Sequence, residues 1–374
     1  MKYLLCGNGV NLQFDEENYS RAALVLRVLK NCDREDFPTN IITTEPFKLK
    51  TYLGYLFLEA RKIIHDEYDA FTTCTAERLA LADFKDHYAS NLASLRMVDI
   101  GFEDYYLIHD LLCHKLGIGN PNQYYIREAM RIAYLYAIYN DGRLNKNYEH
   151  FTDNFKTYIN GFDVIFTSNY DTNIEQVTDR PVYHLHGQFD KLDDVYDASS
   201  LRNHLPDAPI RETTIDTNYS YLYSNVLSTH SGAYKEFQMK QQSQANDALE
   251  KMLMQYNSDP AFQKVVQDWV NDPNRITSNL GSAIIEKSKN PSLKFTDHYH
   301  FKDFQEMNGT LDILGISPWN DLHIFETIEN SEVSSCVYYY HSESAVFEIK
   351  RLLPEMEKSK KLVFRSVEDF WRNH

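Results

Sequence analysis

Apolar residues cluster in six short segments, near 2–6, 163–167, 182–185, 311–314, 335–340 and 361–365. Each segment is apolar on both faces, and stretches with helical spacing lie between them. Strands buried on both faces of a parallel sheet read this way, because helices cover the two sides. Between Leu49 and Ile64 the apolar positions Leu49, Leu53, Leu56, Phe57, Ala60, Ile63 and Ile64 keep a helical period. Pro46 suits the first turn of that helix, behind Thr43 and Thr44. Further helices are expected at 17–31, 76–96, 104–116 (closed by Gly117) and 123–139 (closed by Asn140-Asp141-Gly142). Pro260 marks a helix start in a second helix-leaning block, and Ser344 is the expected N-cap of the helix in "SAVFEIKRLLPEM". The pattern predicts an α/β fold: a Rossmann-like, mostly parallel sheet with helices on both faces and large helical insertions. We read one domain over 1–374, with insertions at 15–160 and 195–300. The first insertion carries no motif associated with chemistry.

Charge narrows the partners. Asp and Glu number 54 against 38 Lys and Arg, a formal net charge of −16. Such a chain repels polyanions, so direct nucleic acid binding is not expected. A small anion can still be held where backbone N–H groups point at it, because such fields are short-ranged. The opening "MKYLLCGNGVNLQF" has too short an apolar run for a signal-peptide core. No stretch reaches the ~18 apolar residues of a membrane span. Cys6, Cys32, Cys74, Cys113 and Cys336 are scattered and odd in number, which disfavours both a disulfide framework and a four-cysteine zinc site. A reduced cytoplasmic protein is expected.

Polar clusters follow four of the strand-like segments. The first exits into Gly7-Asn8-Gly9-Val10-Asn11. A glycine turn after the first strand lets backbone approach a pyrophosphate, although a plain tight turn reads the same way. The second ends in Thr167-Ser168-Asn169-Tyr170-Asp171. Here Asn169 can bridge a water or a ribose hydroxyl and Asp171 can accept from a carboxamide, or the pair can close an Asx turn. The third ends in His184-Leu185-His186-Gly187, which places His186 as a hydrogen-bond partner or general base. His184 reads better as a core-edge histidine held by backbone. An H-x-H metal pair would need His298, His300, His323 or a carboxylate to complete it. The fourth enters Gly315-Ile316-Ser317, whose hydroxyl and amides can hold ribose or phosphate, with Asp321 expected to cap the next helix.

In order, these motifs resemble the Sir2 family, with its Gly-Ala-Gly loop, Gln-Asn-Ile-Asp segment, His-Gly and later Gly-x-Ser. The matching positions are Gly7-Asn8-Gly9, Ser168 to Asp171, His186-Gly187 and Gly315-Ile316-Ser317. Gly315-Ile316-Ser317, followed by Trp319-Asn320-Asp321, also resembles the "GxSxxD" ending of bacterial Sir2-like anti-phage proteins with one extra residue before the aspartate, and the Gly-Asn-Gly opening is similar to the AbiH abortive-infection family. The resemblance covers about five short segments. The zinc-binding cysteines of deacetylating sirtuins are absent, which counts against a deacylase.

The resemblance implies an NAD site with NAD as substrate and no metal. Gly7, Asn8, Gly9 and Asn11 would hold pyrophosphate, and Asn169 would orient water near the anomeric carbon. Asp171 would meet the carboxamide, and His186 would bond ribose or act as base. Thr167 and Gly187 would belong to the same cofactor shell. Gly315 and Ser317 would hold the adenosine half, with "YYYHSE" lining the adenine end. The implied activity is NAD+ hydrolysis in abortive infection, switched on by a partner defence protein, with a homo-oligomer expected. Two alternatives stay open: a non-catalytic NAD, ADP-ribose or nucleotide-binding module, and a metal-dependent hydrolase using His184 and His186.

Overall fold

The computed structural model describes residues 1–41, 45–119, 122–205, 215–226 and 232–374. Six strands form one sheet: β1 (Lys2–Cys6), β2 (Val164–Thr167), β3 (Val182–His184), β4 (Asn308–Leu314), β5 (Glu332–Tyr340) and β6 (Leu362–Ser366). Their order is β3-β2-β1-β4-β5-β6 and every pairing is parallel, a Rossmann-like α/β arrangement. All six expected strands are present, within three residues at each boundary.

The sheet is buried on both faces, and alternation along β1 shows why. Tyr3 and Leu5 face a core with Phe166, Leu311 and Ile313, while Leu4 and Cys6 face a second core with Ile165 and Leu314. Onto the first face pack α11 (Phe301–Gln305), α12 (Leu322–Glu329) and α13 (Glu343–Leu352), through Phe301, Phe304, Ile324, Phe325, Ile328 and Ile349. Onto the second pack α7 (Asp153–Ile159) and α15 (Val367–Asn373), through Phe155, Ile159 and Phe370. The short α14 (Pro354–Lys358) adds Met356 to the first core.

Between β1 and β2 the chain forms α1 (Asn8–Tyr19), α2 (Arg21–Asn31), α3 (Pro46–Ile64), α4 (Thr75–Tyr88), α5 (Phe102–Leu116) and α6 (Asn122–Tyr139), most of which share a core of their own. Between β3 and β4 come α8 (Gly232–Ser258), α9 (Pro260–Val270) and α10 (Arg275–Lys289), packed around Leu249, Val266 and Ile284. No helix among the described residues is long and apolar enough to cross a membrane.

Local chemistry explains most element ends. Gly117 closes α5 in the left-handed region at φ 67°. Pro260 opens α9 behind Asp259, whose side chain accepts from Ala261 N. Pro46 does open α3, with Glu45 at its N-cap; Thr43 and Thr44 lie outside the described residues. Other expectations need correcting. Helix begins directly at Asn8, kinks at Asp15 and breaks at Ser20, whose hydroxyl caps α2, so the helix expected over 17–31 is two pieces. α4 ends at Tyr88 rather than near 96. α13 is capped by Ser342, not Ser344, because the Ser342 hydroxyl accepts from Ala345 N at 3.3 Å.

Candidate functional site

The register puts the strand ends level. Cys6 lies opposite both Thr167 and Leu314, and Thr167 opposite His184. The four polar clusters therefore leave the sheet on one edge, at the point where strand order reverses about β1. Open parallel sheets carry a crevice there. It is a cleft of about 1070 Å³ lined by Asn8, Gly9, Asn11, Ser168, Asn169, Tyr170, Asp171, His186, Gly315, Ser317 and Asp321. Tyr338, Tyr339, His341 and Ser342 from the end of β5 join the lining, as do Glu103, Asp104 and Lys235 from the helical blocks.

The glycines of the first and fourth clusters hold two loops together. Gly9 N donates to Gly315 O at 2.9 Å, and Gly7 N to Leu314 O at 3.0 Å. A Cβ on Gly9 would sit 2.6 Å from Gly315 Cα, and one on Gly7 would sit 2.5 Å from Gly315 O. Gly315 itself has φ +75°. With Gly9 N and Val10 N both donating to protein carbonyls, only Asn8 N among these first amides lacks a protein acceptor among the described residues. Gly7, Thr167 and Gly187 do not line the cleft. Thr167 Oγ1 accepts from Asn169 N at 3.0 Å, and Gly187, at φ +83°, lets its turn press against Asn225.

Asp171 closes its turn and ties two loops. Its Oδ1 accepts from Asn173 N at 3.1 Å, an Asx turn, and from Asn173 Nδ2 at 2.7 Å. Its Oδ2 accepts from Asn11 Nδ2 at 2.6 Å. Burial raises this carboxyl's pKa, and the donors only partly offset that. Asn169 differs: its backbone is anchored by Thr167 and by His184 Nδ1, which lies 2.8 Å from its carbonyl. Its side-chain amide makes no hydrogen bond among the described residues. A largely buried amide left without a protein partner on a cleft wall is suited to a ligand or water.

His184 is held as expected, by Asn169 O and by Glu175 Oε1 at 2.6 Å. It takes no part in the cleft, so it forms no metal pair with His186. Instead, His186 Nε2 lies 3.0 Å from His323 Nε2 and 4.0 Å from Asp321 Oδ1. Burial pushes the His186 pKa well below the usual imidazole value and that of His323 down to about 4, so both rings are neutral. Asp321 stands at the N-cap of α12, but its carboxylate does not cap the helix. Burial alone would raise this carboxyl; the Lys235 ammonium outweighs that and brings it down to about 2.

Lys235 Nζ is buried 2.8 Å from both Glu103 oxygens and 3.5 Å from Asp321 Oδ1. Glu103 also accepts from the Tyr170 hydroxyl at 3.3 Å. Sequence reasoning missed Glu103 and Lys235, since each is one charged residue within a helical pattern. His186, Asp321 and His323 are the side chains that could hold a metal, with ligand atoms all within 4.8 Å of one another. No family model, curated protein or solved structure matches this chain.

Proposed function

We propose that the protein is a Sir2-like NAD+ glycohydrolase that serves anti-phage defence by hydrolysing NAD+ to nicotinamide and ADP-ribose. The observation that carries this reading is the free side-chain amide of Asn169, set in one cleft with His186, Asp171, Asn8 and Ser317. A cleft of about 1070 Å³ is ample for a dinucleotide.

The chemistry asks little of the protein. The C1′–N bond breaks, its electron pair returns to the positively charged nicotinamide nitrogen, and an oxocarbenium-like ribose remains. Asn169 would place water beside C1′, and neutral His186 would take its proton through Nδ1, which makes no hydrogen bond among the described residues. The carboxylates of Asp171, Glu103 and Asp321 would stabilise the developing cation. Homo-oligomer and partner contacts through the helical blocks, a cytoplasmic setting and activation by a partner defence protein belong to the same proposal.

A second reading has its own support. With Gly9 N and Val10 N already bonded, few amides are left for a pyrophosphate, which favours a module that binds a nucleotide without turning it over. Incubating the purified chain with NAD+, alone and with its genomic neighbours, separates the two. The first reading predicts nicotinamide release that disappears in Asn169→Ala and His186→Ala. Binding without release under every condition would support the second, and release that survives both substitutions would remove the first.

A further inference from the structure

We propose that His186, His323 and Asp321 form a site for a borderline divalent cation of the Zn2+ class, and that the bound ion holds the enzyme inactive. The three side chains come from the turn after β3, the first turn of α12 and the loop before it, so the fold itself converges them.

The donor set suits such an ion: two imidazole nitrogens and one carboxylate, with a further position open toward the cleft. Bonds of about 2.0–2.1 Å to a shared tetrahedral ion put two nitrogens about 3.3 Å apart. His186 Nε2 and His323 Nε2 are 3.0 Å apart already. Asp321 Oδ1, 4.0 Å from His186 Nε2 and within 4.8 Å of the His323 ligand atom, needs to close by about 0.7 to 1.5 Å to reach that spacing. Among the described residues His323 Nδ1 has no hydrogen-bond partner, so the His186 contact alone sets its tautomer, and an ion would displace the one proton shared between the two Nε2 atoms onto a free Nδ1.

Lys235 is the competing cation. It is 3.5 Å from Asp321 Oδ1 but 2.8 Å from both oxygens of Glu103, so Asp321 can turn to an ion while the ammonium keeps Glu103.

Inhibition follows from the imidazole itself, and this half rests on the NAD+ hydrolase reading. An ion on His186 Nε2 leaves the ring proton on Nδ1, so the nitrogen facing substrate can donate but cannot accept. No covalent step is involved, and removing the ion restores the lone pair.

The test uses the full chain stripped with a chelator and titrated with Co2+. Visible d–d absorption saturating near one equivalent is expected, reversed by Zn2+ and lost in His323→Ala and Asp321→Asn. No absorption at tenfold excess, or the same bands in both variants, would overturn the site. Zinc-edge X-ray absorption on the wild-type chain decides the matter should neither variant fold. Two imidazoles and oxygen in the shell support it, and a shell without imidazole refutes it. One equivalent of Zn2+ should also lower nicotinamide release at least tenfold, with recovery on chelation; undiminished release from the loaded chain would refute the inhibition. A chain that binds the ion yet never releases nicotinamide would fail the hydrolase reading and leave the metal site standing.

Discussion

Asn169 and Gly315 show how differently two residues on one cleft wall respond to change. The Asn169 side-chain amide has no hydrogen bond to lose among the described residues, so Asn169→Ala should leave stability within about 1 kcal/mol of wild type. On the NAD+ hydrolase proposal its effect belongs in turnover. Losing a donor aimed at the reacting centre costs about 100- to 1000-fold in kcat. Thermal melts beside nicotinamide release check both halves, and a large fall in Tm would make Asn169 a folding residue instead. Gly315→Ala should do the opposite. Its Cβ would lie 2.7 Å from Val10 N at φ +75°, and the strain should cost about 1–3 kcal/mol before any effect on ligand. Urea midpoints for Gly315→Ala and Gly9→Ala read that directly. Asp171→Asn turns a carboxylate facing three N–H groups into an amide that can accept on one side only. About 1–3 kcal/mol of stability should be lost for the donor left unpaired, measurable by the same titration.

At the scale of elements, strands and loop chemistry were legible because their signals are local. A run such as Val164-Ile165-Phe166-Thr167 is buried on both sides whatever surrounds it, and Pro260, Gly117 and Asn140-Asp141-Gly142 punctuate helices by their own backbone limits. The convergence of Asn169, His186 and Ser317 was also legible, since parallel strands send their carboxyl ends to one edge. What stayed hidden depends on long-range packing. Asp321 looks like a cap in sequence, but a buried lysine some 86 positions away turns its carboxylate aside. The Gly-Asn-Gly opening looks like an anion cradle, but the β4 loop takes one of its amides. Ser342 and Ser344 are equivalent N-cap residues in sequence, and in the fold Ser342 is the extended one, at φ −147° and ψ 155°, with Ser344 already inside the first turn.

Over the whole molecule, Lys235 joins three parts of the chain: α8 carries the ammonium, α5 the Glu103 carboxylate and the loop after β4 the Asp321 carboxylate. Removing one partner of a buried ion pair costs about 3–5 kcal/mol, because the other is left buried and uncompensated. Lys235→Met should therefore lower stability by that order, and Lys235→Met with Glu103→Gln by less than the sum of the single changes. Additive losses in this double-mutant cycle would show that the two helical blocks do not meet through this pair. On the proposed function, loops far apart in sequence form one dinucleotide site at the sheet's switch point. A crystal structure of the Asn169→Ala chain soaked with NAD+ tests it most directly. The nicotinamide ribose should lie between position 169 and His186, with the adenosine toward Ser317 and Tyr338. A dinucleotide bound elsewhere on the molecule, with this cleft empty, would contradict it.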